Sequence, residues 1–283
     1  MNHVHALLRS EYAYRRGIFG KDIGVAVLDT GVYAAHPDLQ SHILEFKDFV
    51  NGRRSAYDDS GHGTHVCGII GGKRYGMAPA CKLIVLKVLD ATGNGHVRYS
   101  MQAFRWIVEN REKYNIRIVN ISMGMKSHSD EQGEKRILAA VEVLWDMGIV
   151  VTAAAGNLGP SKGSITIPGV NRKIITVGCY DKKHSGRGDF AKKLLKPDLV
   201  APGANIISCN AFWNGNKKQR YIAKSGTSMA TPIVTGAIAN LLSKYPNMTN
   251  EEVKKRLLAS CRKLNLPMEW QGNGLLNVTK CIE

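Results

Sequence analysis

Apolar and polar positions alternate in two distinct rhythms along the chain. Short, β-branched apolar runs recur, each bounded by Gly, Asp or Pro: IGVAVLD (23–29), LIVLKVL (83–89), IRIVNISM (116–123), GIVVTAAAG (148–156) and KIITVGCY (173–180). Several are apolar at successive positions, which predicts parallel strands covered on both faces. Between them lie MQAFRWIVENREKY and EKRILAAVEVLWDMG, with apolar residues three or four apart, as amphipathic helices require. TNEEVKKRLLASC opens with Thr249 and Glu252 at capping-box spacing. IVTGAIANLLSKY predicts a further helix, with Pro232 in its first turn and a stripe through Ile233, Val234, Ala237, Ile238, Leu241 and Leu242. Strands alternating with helices predict an α/β fold: a three-layer, doubly wound, mostly parallel sheet flanked by helices. Functional groups in such sheets gather at the C-terminal strand ends.

The 283 residues, 44% of them hydrophobic, read as a single globular domain over 1–283, with residues 1–20 as an N-terminal extension. No apolar run approaches the ~20 residues of a membrane span, so no membrane partner is expected. Residues 1–20 lack a continuous apolar h-region, which leaves a cytoplasmic protein or a processed chain, and Met1 favours the first. Six cysteines without a CxxC pair read mostly as free thiols. The net charge of +16 is scattered, and its densest stretch, KKHSGRGDFAKKLLKPD, lacks interleaved aromatics. A solvated basic surface is expected rather than nucleic-acid binding.

Candidate chemistry sits at element ends. Asp29 closes the first strand, where an isolated carboxylate is costly to bury. His62 lies between Gly61 and Gly63 at the start of a helical run. His65 makes an HxxH pair with it, but the Glu of HExxH is missing. Ser228, in SGTSMATP, stands at a helix N-terminus, where amides and dipole favour developing negative charge. Ser225 and Thr227 beside it read as capping groups. A nucleophilic serine needs a rigid mount, a base in reach and a group that orients the base.

VAVLDTG around Asp29, DSGHGTHVCG around His62 and SGTSMATP around Ser228, in that order, resemble the three active-site motifs of the subtilisin-like serine proteases. AAAGN, ending at Asn157, resembles the family's oxyanion-hole asparagine. The resemblance runs from about residue 20 to residue 277. It implies a serine endopeptidase that cleaves polypeptides through an acyl-enzyme, with Ser228 as nucleophile, His62 as base, Asp29 as its orienter and Asn157 as oxyanion donor. The alternative is a binding or scaffolding protein on the same fold. The resemblance also implies two substrate-binding edges, Gly93-Asn94-Gly95-His96 and Ser122-Met123-Gly124. Ala154, Ala155 and Gly156 would wall the primary pocket, with Thr166 at its floor and Leu158 near its rim.

Two features depart from the secreted members. Residues before Asp29 are too few for their long propeptide, so an intracellular, propeptide-poor type is expected. IIGGKRYGMAP is shorter and more basic than their calcium loop, through Lys73 and Arg74. Asp38 resembles one ligand of that ion, but the six to eight oxygens calcium needs are not evident. No cofactor is therefore expected to be required, and the usual tight calcium site is expected to be absent. Cys67, just over one helical turn past His62, reads either as a small buried helix residue or as a thiol near the site.

Overall fold

The computed structural model describes residues 1–125, 130–181 and 183–283. Two short helices, α1 (Asn2–Leu8) and α2 (Glu11–Arg15), precede the first strand. The order then runs β1 (Gly24–Asp29), β2 (Ile43–Asp48), α3 (His62–Gly71), β3 (Lys82–Lys87), α4 (Val97–Asn110), β4 (Ile116–Ile121), α5 (Glu131–Asp146), β5 (Val150–Ala154), β6 (Ile175–Cys179), β7 (Leu199–Ala201), β8 (Ile206–Cys209) and β9 (Tyr221–Lys224). The helices α6 (Thr227–Lys244), α7 (Asn250–Ser260), α8 (Met268–Gln271) and α9 (Val278–Ile282) complete it.

Strands β2-β3-β1-β4-β5-β6-β7 form one parallel sheet in that order among the described residues. Helices cover both faces, so β1, β5, β6 and β7 are buried at every position. That is why their sequences carry no polar alternation. The chain passes from β3 to β4 across β1, which places the ends of β1, β3 and β4 around one crevice. Ligands bind at such points in open parallel sheets. β8 and β9 make a separate antiparallel ribbon.

Four strands, β2, β7, β8 and β9, lie outside the runs predicted from sequence. β2 is an edge strand of mixed polarity, and β7 is three residues long. α6 departs from expectation more fully. It begins at Thr227, so Pro232 lies beyond the first turn. It is buried on all sides rather than along one stripe, because it packs against α3, β4, β5, β6 and β7 together. Two of its buried threonines find partners inside the fold: Thr231 Oγ1 donates to Thr227 O (2.8 Å) and Thr235 Oγ1 to Asn120 Oδ1 (2.8 Å). Thr249 and Glu252 form the expected capping box on α7.

The N-terminal extension is docked on the body. Val4 and Leu8 are buried, and the Tyr14 hydroxyl donates to the carbonyls of Gly76 and Met77 (3.1 and 3.0 Å).

Candidate active site

Asp29 is fully buried at the end of β1. Its Oδ1 accepts the Thr30 amide at 2.8 Å and lies 2.7 Å from His62 Nδ1. An ionised carboxylate can only accept, so Nδ1 carries the proton and Nε2 is left as the basic nitrogen. Burial pulls the His62 pKa down, but the charge and hydrogen bond of Asp29 outweigh it, and the net direction is upward. The His62 side chain keeps 26% of its exposure, enough to meet a substrate.

The histidine owes its place to a helix start that lacks a side-chain cap of its own. Gly61, at the N-cap of α3, has φ 76°. Asp58 substitutes from outside the helix. Its Oδ1 accepts the Gly61 amide (2.8 Å), and its Oδ2 accepts the Thr64 amide (2.8 Å) and hydroxyl (2.6 Å). Thr30 joins this cap to Asp29, because its hydroxyl donates to Asp58 Oδ1 (2.8 Å) and accepts the Gly63 amide (2.9 Å). A Cβ at Gly63 would collide with the Gly31 carbonyl, so only glycine lets the helix approach the strand end this closely. Asp58 and Thr30 were not singled out from sequence, although Thr30 stands inside one quoted motif and Asp58 immediately precedes another.

Among the described residues no cluster of His, Cys, Asp and Glu side chains brings His65 and His62 together as metal ligands. His65 is buried against the carbonyls of Ile206 and Ile222 (3.0 and 3.1 Å). Burial lowers its pKa to about 4. Cys67 is fully buried, and burial pushes its thiol well up, which is the behaviour of a packing residue.

Within the stretch from Thr227 to Leu242, Ser228 alone is not buried. Proline at position 232 has no N–H to donate to the Ser228 carbonyl four residues back. Helix α3, which begins at His62, packs along α6. No hydrogen bond joins the Ser228 hydroxyl to His62 in this structure. Such bonds commonly tighten only when substrate fills the site.

Asn157 stands exposed beside the start of α6, and its Oδ1 accepts the Thr227 amide (3.1 Å) and hydroxyl (3.3 Å). Thr227 therefore donates to a cap supplied by Asn157 rather than capping the helix itself. Ser225 accepts the Asn205 amide instead (2.9 Å). Gly226, at φ 144°, brings the backbone up to the Asn157 amide nitrogen, 3.2 Å from where a Cβ would sit.

The two expected edges face one another. Gly93, Asn94, Gly95 and His96 line one side of a cavity of about 240 Å³, and Met123 and Gly124 line the other. Ser122 is buried, its hydroxyl bonded by Asn120 (2.9 Å). Leu89, Phe104, Ile121 and Ile137 supply an apolar interior that sequence reasoning missed. Helical periodicity marks Phe104 and Ile137 as inward-facing, but cannot distinguish a packed core from a cavity. Thr166 lies between the second edge and the next wall: its amide donates to Ala155 O (3.1 Å), and a Cβ at Gly156 would fall 2.6 Å from its hydroxyl. Ala154 and Ala155 are buried. Leu158 is 49% exposed.

With a buried carboxylate bonded to a partly open imidazole at a parallel-sheet switch point, comparison with known proteins becomes informative. The family model for the Subtilase family (peptidase S8) matches residues 20–274. The chain belongs to the subtilase family. This subtilase is 39% identical over 269 residues to serine protease AprX of Bacillus subtilis, covering 84% of this chain and 61% of AprX. The chain thus spans about three fifths of that relative's length. It is 34% identical over 283 residues to a thermostable alkaline protease of Halalkalibacterium halodurans, covering 98% of this chain and 72% of that protein. Among solved structures, it superposes on a cold-adapted subtilisin-like serine proteinase with a TM-score of 0.76 and 26% identity, covering 92% and 88% of the two chains. The expected recognition and fold class are thereby established.

Proposed function

We propose that this subtilase is a serine endopeptidase of polypeptides in which Ser228, His62, Asp29 and Asn157 carry the reaction. The observation that supports it most is the 2.7 Å contact between His62 Nδ1 and Asp29, at the start of a helix packed against the one that bears Ser228. Ser228 Oγ attacks the scissile carbonyl carbon while His62 Nε2 takes its proton. The oxyanion forms next to the Asn157 amide and the Ser228 N–H. His62 returns the proton to the leaving amine, and water, activated by the same nitrogen, releases the acyl group. Asp29 keeps the imidazole in the working tautomer and stabilises its cationic form.

Substrate lies extended between residues 93–96 and 122–124, pairing by backbone hydrogen bonds. The cavity between those edges takes an apolar side chain, and Thr166 limits the depth of the primary pocket. A reducing compartment such as the cytoplasm suits the six cysteines, none of which is paired in a disulfide among the described residues. No helix among the described residues is long and apolar enough to cross a membrane. The enzyme works without a tight calcium ion at the Asp38 loop. There Asp38 already accepts the Tyr221 hydroxyl (3.2 Å to each oxygen) and the Arg74 amide (3.3 Å), and the side chains of Lys73 and Arg74 supply no oxygen ligand.

Labelling with a serine-directed peptidyl phosphonate, followed by peptide mapping, tests the assignment. The adduct is expected on Ser228. Ser228→Ala is expected to abolish both labelling and turnover, since removing the nucleophile of subtilisin costs about 10⁶ in kcat. A label on another serine, or an Ala variant that still turns over at near the original rate, overturns it.

A further inference from the structure

Lys87 is the last residue of β3 and the register partner of Asp29. Its side chain is fully buried. Its ammonium nitrogen donates to Thr30 O (2.6 Å), Asp59 Oδ1 (2.8 Å) and Leu89 O (2.9 Å), and the Tyr57 ring covers it at 4.9 Å. An ammonium has three N–H donors, so all three are used. A buried ion pair is seldom more stabilising than a packed apolar residue of the same size. The cation is therefore better explained by what its partners do than by stability.

Each partner belongs to a different working part. Thr30 follows Asp29, and its amide donates to the Asp29 carboxylate. Asp59 lies in the turn that delivers His62, next to the Asp58 that caps α3. Leu89 lines the cavity between the substrate edges and leads into residues 93–96. The backbone reinforces the same junction, because Val88 N and Leu89 N both donate to Asp29 O (3.0 and 3.3 Å). The regular pairing of β1 with β3 ends at Asp29 and Lys87, so beyond it one ammonium holds three chain segments that strand pairing no longer holds.

We propose that Lys87 is a positioning residue for catalysis, acting through Asp59, Thr30 and Leu89 to fix the Asp29–His62 pair relative to the first substrate edge. This rests on the triad reading above. Misplacement of reacting groups by about 1 Å can cost on the order of 10² in rate. Loss of the cation should therefore lower kcat about 10–100-fold, with a smaller change in KM. Asp59, with 38% side-chain exposure, can be altered with little risk to folding.

The experiment compares Lys87→Met, Asp59→Asn and the double variant with the unaltered protein. Phosphonate titration counts competent sites, steady-state kinetics separate kcat from KM, and the downfield proton resonance of His62 Nδ1–H reports the bond to Asp29. The expected result is a lower kcat per titrated site in both single variants and a shifted or broadened resonance. The double variant should be no worse than Lys87→Met, because Asp59 acts through the same cation. If both single variants keep kcat within about twofold, with the resonance unmoved, the proposal is overturned. Should Lys87→Met fail to fold, Asp59→Asn decides alone by the same readings. Failure of the triad reading is distinguishable, because the unaltered protein would then take no label at Ser228.

Discussion

The Thr227 amide donates to Asn157 Oδ1 across 3.1 Å, so the asparagine proposed as the oxyanion donor also caps the helix that carries Ser228. The carbonyl end is held by the helix, which leaves the amide end free to donate. Asn157→Ala removes both roles, and Asn157→Asp removes only the donor. In subtilisin, losing such a donor costs about 10²–10³ in kcat. Both variants are expected to lose that much with little change in KM, while only Ala also loses about 1 kcal/mol of stability with the cap. Kinetics and thermal melts of the two variants check this. A defect confined to KM would mean that the amide meets the ground state instead.

The raised pKa of His62 sets a pH dependence. Catalysis needs the neutral imidazole, so kcat/KM should climb with pH through a value above the ordinary imidazole pKa of about 6.5. Stability runs the other way. A histidine raised by a carboxylate partner stabilises the fold fully below its unfolded pKa, and that contribution is lost as pH rises through the folded pKa. Asp29→Asn should therefore shift the acid limb of kcat/KM downward and lower kcat by about 10⁴. It should also lower Tm more at pH 5 than at pH 9. An acid limb that stays in place in Asp29→Asn would separate the rise from this pair.

The fold and the candidate triad were legible for the same reason: strands buried on both faces and glycine-flanked chemistry at their ends leave strong local signals. β1 and β3 to β6 announce themselves by continuous apolar runs. β2, β8 and β9 do not, because they lie at an edge or in a separate ribbon where polar residues alternate in. α6 reads as amphipathic only if its threonines count as polar. Their hydroxyls are spent on helix carbonyls, on Asn120 and on Asn157, a tertiary fact no periodicity encodes. The Asp58 cap, the Asn157–Thr227 bond and the Lys87 junction each join residues about 30 or more positions apart in at least one contact, and local pattern cannot reach them.

Calcium dependence should be weak. Around Asp38 the structure assembles Tyr221, Tyr75 and Arg74, with the two rings 5.2 Å apart and the guanidinium 5.1 Å from the Tyr75 ring centre. A hydroxyl donor and a cation hold the loop where an ion would otherwise gather oxygens. A site filled at 100 times its Kd would add about 2.7 kcal/mol. Thermal melts with EDTA and with added calcium should differ by far less than that amount would produce. A large fall in EDTA, restored by calcium, would place a tight ion elsewhere in the chain.

Thr166 should set the reach of the primary pocket. A Cβ at Gly124 would overlap its hydroxyl, and one at Gly156 would fall 2.6 Å from it, so the side chain occupies the gap between the two backbone walls. It is 5% exposed, and its hydroxyl finds no partner among the described residues. A branched side chain there shortens the slot that large rings would enter. Leu158, the residue expected near the rim, offers no carboxylate, and the net charge of +16 disfavours cationic side chains further. Medium apolar residues such as Leu or Met should therefore be cleaved faster at the primary position than Trp, Arg or Lys. The preference should be graded, because one methylene in an apolar pocket is worth only ~1–3 kcal/mol. Thr166→Gly should deepen the slot and move the preference toward Phe and Tyr, leaving the rate on small substrates nearly unchanged. Tetrapeptide substrates varied at that one position, assayed with both proteins, decide it. Fastest cleavage after Arg or Lys would overturn the prediction and point to an Asp or Glu partner elsewhere. An identical profile in Thr166→Gly would mean that the slot is limited by the walls at Gly124 and Gly156 rather than by its floor.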